Sequence, residues 1–361
     1  MQRIITLLLV VVLAAACGKT ENWPEFGGNP ANTGSTANTP PAKLPVEKWS
    51  FETNERINSS PAVVDNVVYV GSDDHHVYAL DARDGSLIWR FRANDVVRSG
   101  ITVAENTVYF GSRDNNLYAV DAHTGRVKWS FTTPGTVGTS PAVSDNLILF
   151  GSWGNSFFAV DKDTGAEEWR LETGGPVVGS PAISDGLVFF GSWDTKFYAV
   201  EARTGQVRWT FETGDLIHSS PAVADGVVYF GSRDSHLYAV RVSTGELIWK
   251  YQADNWFDSS PALHGNTVIA GSYDYHVYAL DKDTGAEKWK FRVEGPVLSS
   301  PVIARNTVYV ASWERMIYAI NINDGSEKWA YQANHQFTSS PAIANGKIFI
   351  GSRDKYLYAL E

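Results

Sequence analysis

The sequence predicts an all-β protein: an eight-bladed β-propeller of four-stranded antiparallel blades, with the last blade closed by an N-terminal strand. Three observations predict it. Ser-Ser-Pro, or a near variant, ends at Pro61, Ile101, Pro141, Pro181, Pro221, Pro261, Pro301 and Pro341, a constant step of forty. Tryptophan recurs at Trp49, Trp89, Trp129, Trp169, Trp209, Trp249, Trp289 and Trp329 with the same step. The chain ends at Glu361 after a third-strand pattern, and the unmatched fourth strand, VEKWSFET, stands at residues 46–53. Self-similarity at this period, with several short strands per unit and no helical spacing, is the mark of a propeller.

One unit, residues 58–97, gives the elements in order. Ser60 to Val64 is a short apolar strand, and Val67 to Ser72 a second. Between them lies Asp65-Asn66, which reads Asp-Gly at 185 and 225 and Asn-Gly at 345. Such pairs tolerate the positive φ of two-residue hairpins. A loop over 73–76 leads to a third strand, Val77 to Asp81. A turn over 82–85 then leads to a fourth, Leu87 to Arg92. Closing the ring with the strand at 46–53 removes the exposed edges of an open array. Each blade-to-blade contact is a separate apolar layer, so the fold can exceed the usual size of a single core.

The most repeated segment, LDKDTGAEKWKF at 280–291, spans strand three, a turn and strand four. Its glycine suits a turn that penalises a Cβ, and its Asp and Thr can bond turn backbone. The alanine at Ala79, Ala119, Ala159, Ala199, Ala239, Ala279, Ala319 and Ala359 leaves room for the tryptophan ring. The eight tryptophans are therefore structural docking residues. Departures from the pattern, among them Arg241, Ala311 and Gly100-Ile101, read as tolerated drift.

Residues 1–16, MQRIITLLLVVVLAAA, have a short charged start, an apolar run and small residues before Cys17. That is a secretory signal, too short for a stable span. Ala14-Ala15-Ala16-Cys17 resembles a bacterial lipobox, which implies lipidation of Cys17; the alternative is ordinary cleavage after Ala16. Residues 17–45 then form a lipidated tether and lead-in, and 46–361 the propeller. Cys17 is the sole cysteine, so no disulfide framework and no cysteine metal site is available. The formal charge is −10, with no Lys/Arg run, which argues against a nucleic-acid partner.

Function is sought where the copies differ. The turns joining strands one to two and three to four repeat monotonously; the loops joining strands two to three do not. After each Gly-Ser, or Ala-Ser in one copy, stands Asp73, Arg113, Trp153, Trp193, Arg233, Tyr273, Trp313 or Arg353. The aromatic and arginine members of this ring suit an extended peptide, a glycan or a flat ligand. The plain alternative is that they tile the face. Residues just before each Ser-Ser-Pro rim the central channel, with Asn58, Arg98, His218 and Asp258 the polar members. The plain alternative for them is hydration of an open channel.

The repeat Ala-x-Asp-x-x-Thr-Gly-x-x-x-Trp resembles the tryptophan-docking repeat of the pyrroloquinoline-quinone (PQQ) propellers, the quinoprotein alcohol dehydrogenase superfamily. The resemblance covers residues 46–361, and the lead-in WPEFGGNPANTGST resembles that of many PQQ-like proteins. It implies the propeller fold but not the function, since the superfamily holds enzymes and non-catalytic members. With a lipid anchor and uninterrupted blades the chain also resembles the BamB family of the outer-membrane β-barrel assembly machinery. That resemblance implies a lipid-anchored, non-catalytic scaffold on the periplasmic side of the outer membrane. Its implied partners are envelope proteins, among them the barrel-inserting subunit, with β-augmentation of barrel precursors. A generic PQQ-like repeat lipoprotein, or a glycan- or peptide-binding surface lipoprotein, fits the same residues.

The competing expectation is a PQQ- and calcium-dependent dehydrogenase. The adjacent-cysteine disulfide that the resemblance would imply has no cysteines here, and the constant step leaves no long insertions. Asp258 with Asn58 is the one cluster the sequence offers for it. No cofactor, no metal and no catalytic residue is expected.

Overall fold

A computed structural model describes residues 20–41 and 43–361; Cys17 and the signal segment lie outside the described residues. Eight sheets, each of four blade strands, are present. In blade 1 they are Ala62–Val64, Val67–Gly71, His76–Asp81 and Leu87–Arg92, running from the channel outward. The other blades follow at steps of forty residues. The two-residue turns take the expected left-handed conformation, with Asp65 at φ 49° and Asn66 at φ 62°.

Blade 8 is built from both ends of the chain. Its outer strand, Glu47–Glu52, pairs antiparallel with Tyr356–Leu360, and Trp49 stands opposite Ala359. The amides of Val46 and Glu361 donate to each other's carbonyls at 2.9 and 3.0 Å. Both termini of the repeat array thus share one sheet, which closes the ring.

Each docking tryptophan serves two blades. Trp89 lies across Ala79 of its own sheet and reaches Tyr69, with ring centroids 5.8 Å apart. Its indole donates to Ala122 O at 2.8 Å on the next blade. Trp49, Trp129, Trp169, Trp209, Trp249 and Trp289 repeat this bond, each to a carbonyl thirty-three residues on. The turn glycine answers to more than backbone angle: a Cβ on Gly125 (φ 66°) would stand 2.7 Å from the Trp89 ring. Trp329 has no such turn to meet, because strands three and four of blade 8 are not joined in sequence; an open pocket bordered by Pro40 and Pro41 lies beside it.

The lead-in is not a free tether. It runs along the open edges of the innermost strands and fills the channel. Trp23 exchanges 2.7 Å bonds with Val63; Pro24, Pro30, Ala31, Thr33 and Gly34 carbonyls accept from Val103, Ile183, Val223, Leu263 and Ile303. Ser35–Thr36 pairs parallel with Val302–Ala304 in blade 7, and Asn38 donates to Ile343 O in blade 8. An inner edge left bare would be a row of unpaired polar groups. The lead-in pairs with this edge in every blade but the third, so the idea of an open, hydrated channel is corrected at this end.

Above the lead-in, the second serines of Ser-Ser-Pro form a relay. The amides of Ser140, Ser180, Ser220, Ser260, Ser300 and Ser340 donate to the hydroxyls of Ser180, Ser220, Ser260, Ser300, Ser340 and Ser60. Gly100 interrupts it, and a Cβ there would stand 2.3 Å from Ser140 Oγ. Ser140 Oγ occupies the space that a side chain at 100 would take.

Candidate functional site

The loops between strands two and three stand on the face opposite the hairpin turns. Their backbone is held rigidly. Asp73 N donates to Arg56 O at 2.8 Å, and the amides of Arg113, Trp153, Trp193, Arg233, Tyr273, Trp313 and Arg353 make the equivalent bond to the connection entering the same blade. The next residue is a staple: Asp74 accepts from Tyr78 Oη at 2.7 Å and from His76 N at 3.1 Å. Blade 3 loses both halves of the staple together, with Gly154 and Phe158. A fixed backbone thus presents a variable ring of side chains.

The named residues gather into three groups. In the first, Arg98 grips Asp73 with two 2.7 Å bonds, Asn58 Nδ2 donates to Asp73 Oδ2 at 3.0 Å, and Thr338 Oγ1 donates to Asn58 Oδ1 at 2.6 Å. These bonds raise the Arg98 pKa above its ordinary value. In the second, Arg233 grips buried Asp258 at 3.0 and 2.9 Å and lies 4.6 Å from the Trp256 ring centroid. Trp256 packs on Tyr273. His218 is next to this pair; burial lowers its pKa, Asp258 opposes and Arg233 adds to the lowering. Its ring is 6.3 Å from Trp193, which meets Trp153 edge-on at 4.9 Å. In the third, Arg353 stacks over Trp313 at 4.9 Å. Arg113 is exposed and makes no side-chain hydrogen bond among the described residues.

Asp258 and Asn58 are not brought together. Asp258 is committed to Arg233 and Asn58 to Asp73 and Thr338. Among the described residues no group of three or more His, Asp or Glu side chains is placed to hold a metal ion. A calcium-bound quinone needs uncommitted oxygen donors over the channel, and these residues do not fit it.

Sequence reasoning missed Arg56 and treated Asp73 as one member of a ring, when it is the carboxylate that organises the first group. The signal was available: the column holding Arg56 reads Arg, Val, Thr, Pro, Leu, Trp, Pro and Gln across the eight copies. That is as variable as the ring itself.

The family model described as outer membrane protein assembly factor BamB matches residues 46–139. The model for the β-propeller of beta-alanine-activating enzyme matches residues 182–361. No curated protein matches the chain. Among solved structures, BamB from Moraxella catarrhalis is 21% identical with a TM-score of 0.77, covering 88% of this chain and 98% of that one. Quinohemoprotein alcohol dehydrogenase from Comamonas testosteroni is 16% identical with a TM-score of 0.84, covering 96% of this chain and 81% of that one.

The chain has the eight-bladed propeller fold of these proteins.

The computationally designed Ika8 protein also matches this propeller, at 18% identity and a TM-score of 0.79, covering 87% of this chain and 98% of that one. The likeness to these structures is one of fold. What distinguishes this propeller from a bare ring of blades is its crown of variable loops.

Proposed function

We propose that the protein is a non-catalytic cell-envelope scaffold that binds protein partners through the crown, in a role like that of BamB in outer-membrane protein assembly. One observation carries this reading. The crown is where the repeats diverge, and there Trp153, Trp256 and Tyr275 are 42%, 37% and 43% exposed. Large aromatics held on a rigid backbone are the residues that anchor protein interfaces. The crown's carboxylates and amides, by contrast, are spent on internal pairs and leave little for chemistry. The match to the BamB model over residues 46–139 supports the same reading. We place the chain on the periplasmic side of the outer membrane, anchored by a lipid on Cys17.

A photo-crosslinking residue at Trp153 or Trp193, in the native envelope, tests it. Capture of the barrel-inserting subunit is the expected result; its absence from both positions overturns the assembly role. A titration with PQQ and calcium, followed by quinone absorbance and dye-linked oxidation of alcohols or sugars, tests the opposing reading. Calcium-dependent binding with turnover overturns the scaffold.

A further inference from the structure

One arc of the crown gathers four arginines; Arg353, Arg56 and Arg113 make no ion pair among the described residues, while the loop carboxylates Asp74, Asp114 and Asp354 are held by tyrosine hydroxyls. Going round the mouth from blade 8 to blade 2, the arc presents Arg353, Arg56, Arg98 and Arg113. The loops are tied in that order, since Ile57 N donates to Ser352 O and Asp73 N to Arg56 O. Asp73 is the carboxylate at the centre of the arc, and Arg98 and Asn58 already hold it. Nearby Glu55 faces Lys355 at 3.8 Å, and Asp95 accepts from Val96 N. Arg56 is exposed and has no ion pair or side-chain hydrogen bond among the described residues. Arg353 Nε is buried and has no hydrogen-bond partner among the described residues, an exception in folded proteins. Burial and the nearness of Arg56 and Arg98 lower the Arg353 pKa, with Asp73 opposing. The arc is not a reflection of composition, because the whole chain is −10.

We propose that Arg353 and Arg56, beside Trp313, form an anion site that receives a carboxylate-bearing segment of a protein partner. Guanidinium groups recognise carboxylates through paired hydrogen bonds. Stacking on Trp313 orients the Arg353 guanidinium at the rim. The site is open, continuous with the aromatic crown and edged by an indole, which suits an acidic peptide segment better than a free ion. The inference rests on the crown being a protein-binding face and adds the chemistry of what it binds.

The test is fluorescence anisotropy of a short labelled peptide alternating glutamate and glycine, titrated with the purified protein, against a glutamine–glycine control. The glutamate peptide is expected to bind and the control not. Arg56→Glu, on an exposed side chain without partners, is expected to weaken binding about tenfold or more. Arg126→Glu, in a turn on the opposite face, is expected to leave it unchanged. Equal binding of the control peptide, or equal loss with Arg126→Glu, overturns the site. Saturable binding of inorganic phosphate without peptide binding overturns the assignment to a protein segment. Crosslinks from Trp153 report separately on the scaffold reading, so loss of peptide binding alone leaves that reading standing.

Discussion

Replacing Glu25 with glutamine should change how stability depends on pH. Glu25 lies in the lead-in inside the channel, 7% exposed, with no side-chain hydrogen bond among the described residues. Burial pushes its pKa from the ordinary 4.5 up to about 8. The unfolded chain releases this proton near 4.5 and the folded chain near 8. Between those values the native state holds the extra proton, so raising the pH favours unfolding. The contribution is fully present below 4.5 and is lost as pH rises through about 8. At about 1.36 kcal/mol per pH unit, the whole interval is worth about 5 kcal/mol, and about 3 kcal/mol of it is gone by pH 7. Glutamine has no proton to lose. Urea midpoints of the native protein and Glu25→Gln, measured from pH 4 to pH 9, should therefore diverge as pH rises, with the variant gaining on the native chain by roughly that amount. Parallel pH profiles would refute the reasoning, because they would mean that Glu25 ionises as freely in the fold as out of it.

Other outcomes follow from the same geometry. Trp289→Ala should cost about 3–5 kcal/mol in denaturant midpoints, and Trp329→Ala less, because only Trp289 donates to the next blade. Gly285→Ala should destabilise more than Gly186→Ala: both sit at positive φ, but a Cβ at 285 meets the Trp249 ring at 2.7 Å and one at 186 meets nothing. The position at 186 should therefore cost only about 1–2 kcal/mol of backbone strain. Removing the lead-in up to Thr39 should strip hydrogen-exchange protection from the amides of Val63, Ile183, Val223, Leu263 and Ile303, which it now holds. Retained protection at those amides would show that the inner edges are satisfied without it.

The blades were legible because every element is written eight times. A strand that is ambiguous in one copy, such as the short Ala62–Val64, is settled by its equivalents at 142, 182 and 222. The docking of Trp89 on Ala79 could be read from alternation alone. Its second contact, with Gly125 of the next blade, could not, because a turn glycine explains itself by φ before packing is considered. The lead-in was illegible for a different reason. It binds mostly through backbone carbonyls of Pro24, Pro30, Ala31 and Gly34, and backbone pairing leaves no side-chain pattern. In the crown, the ring positions emerged from variation among copies, but their pairings did not. Nothing in the spacing of Asp258 and Arg233 says that they meet, because their approach depends on the turn from one blade to the next.

The path of the lead-in also gives the molecule an orientation. Glu21 is tied to Asn345, and Asn22 to Asp65, both in hairpin turns on the side away from the crown. The first described residues are therefore held at the turn face. The uniform turns and the variable rim thus face opposite ways, and a partner could cover the rim without disturbing the ties at Glu21 and Asn22.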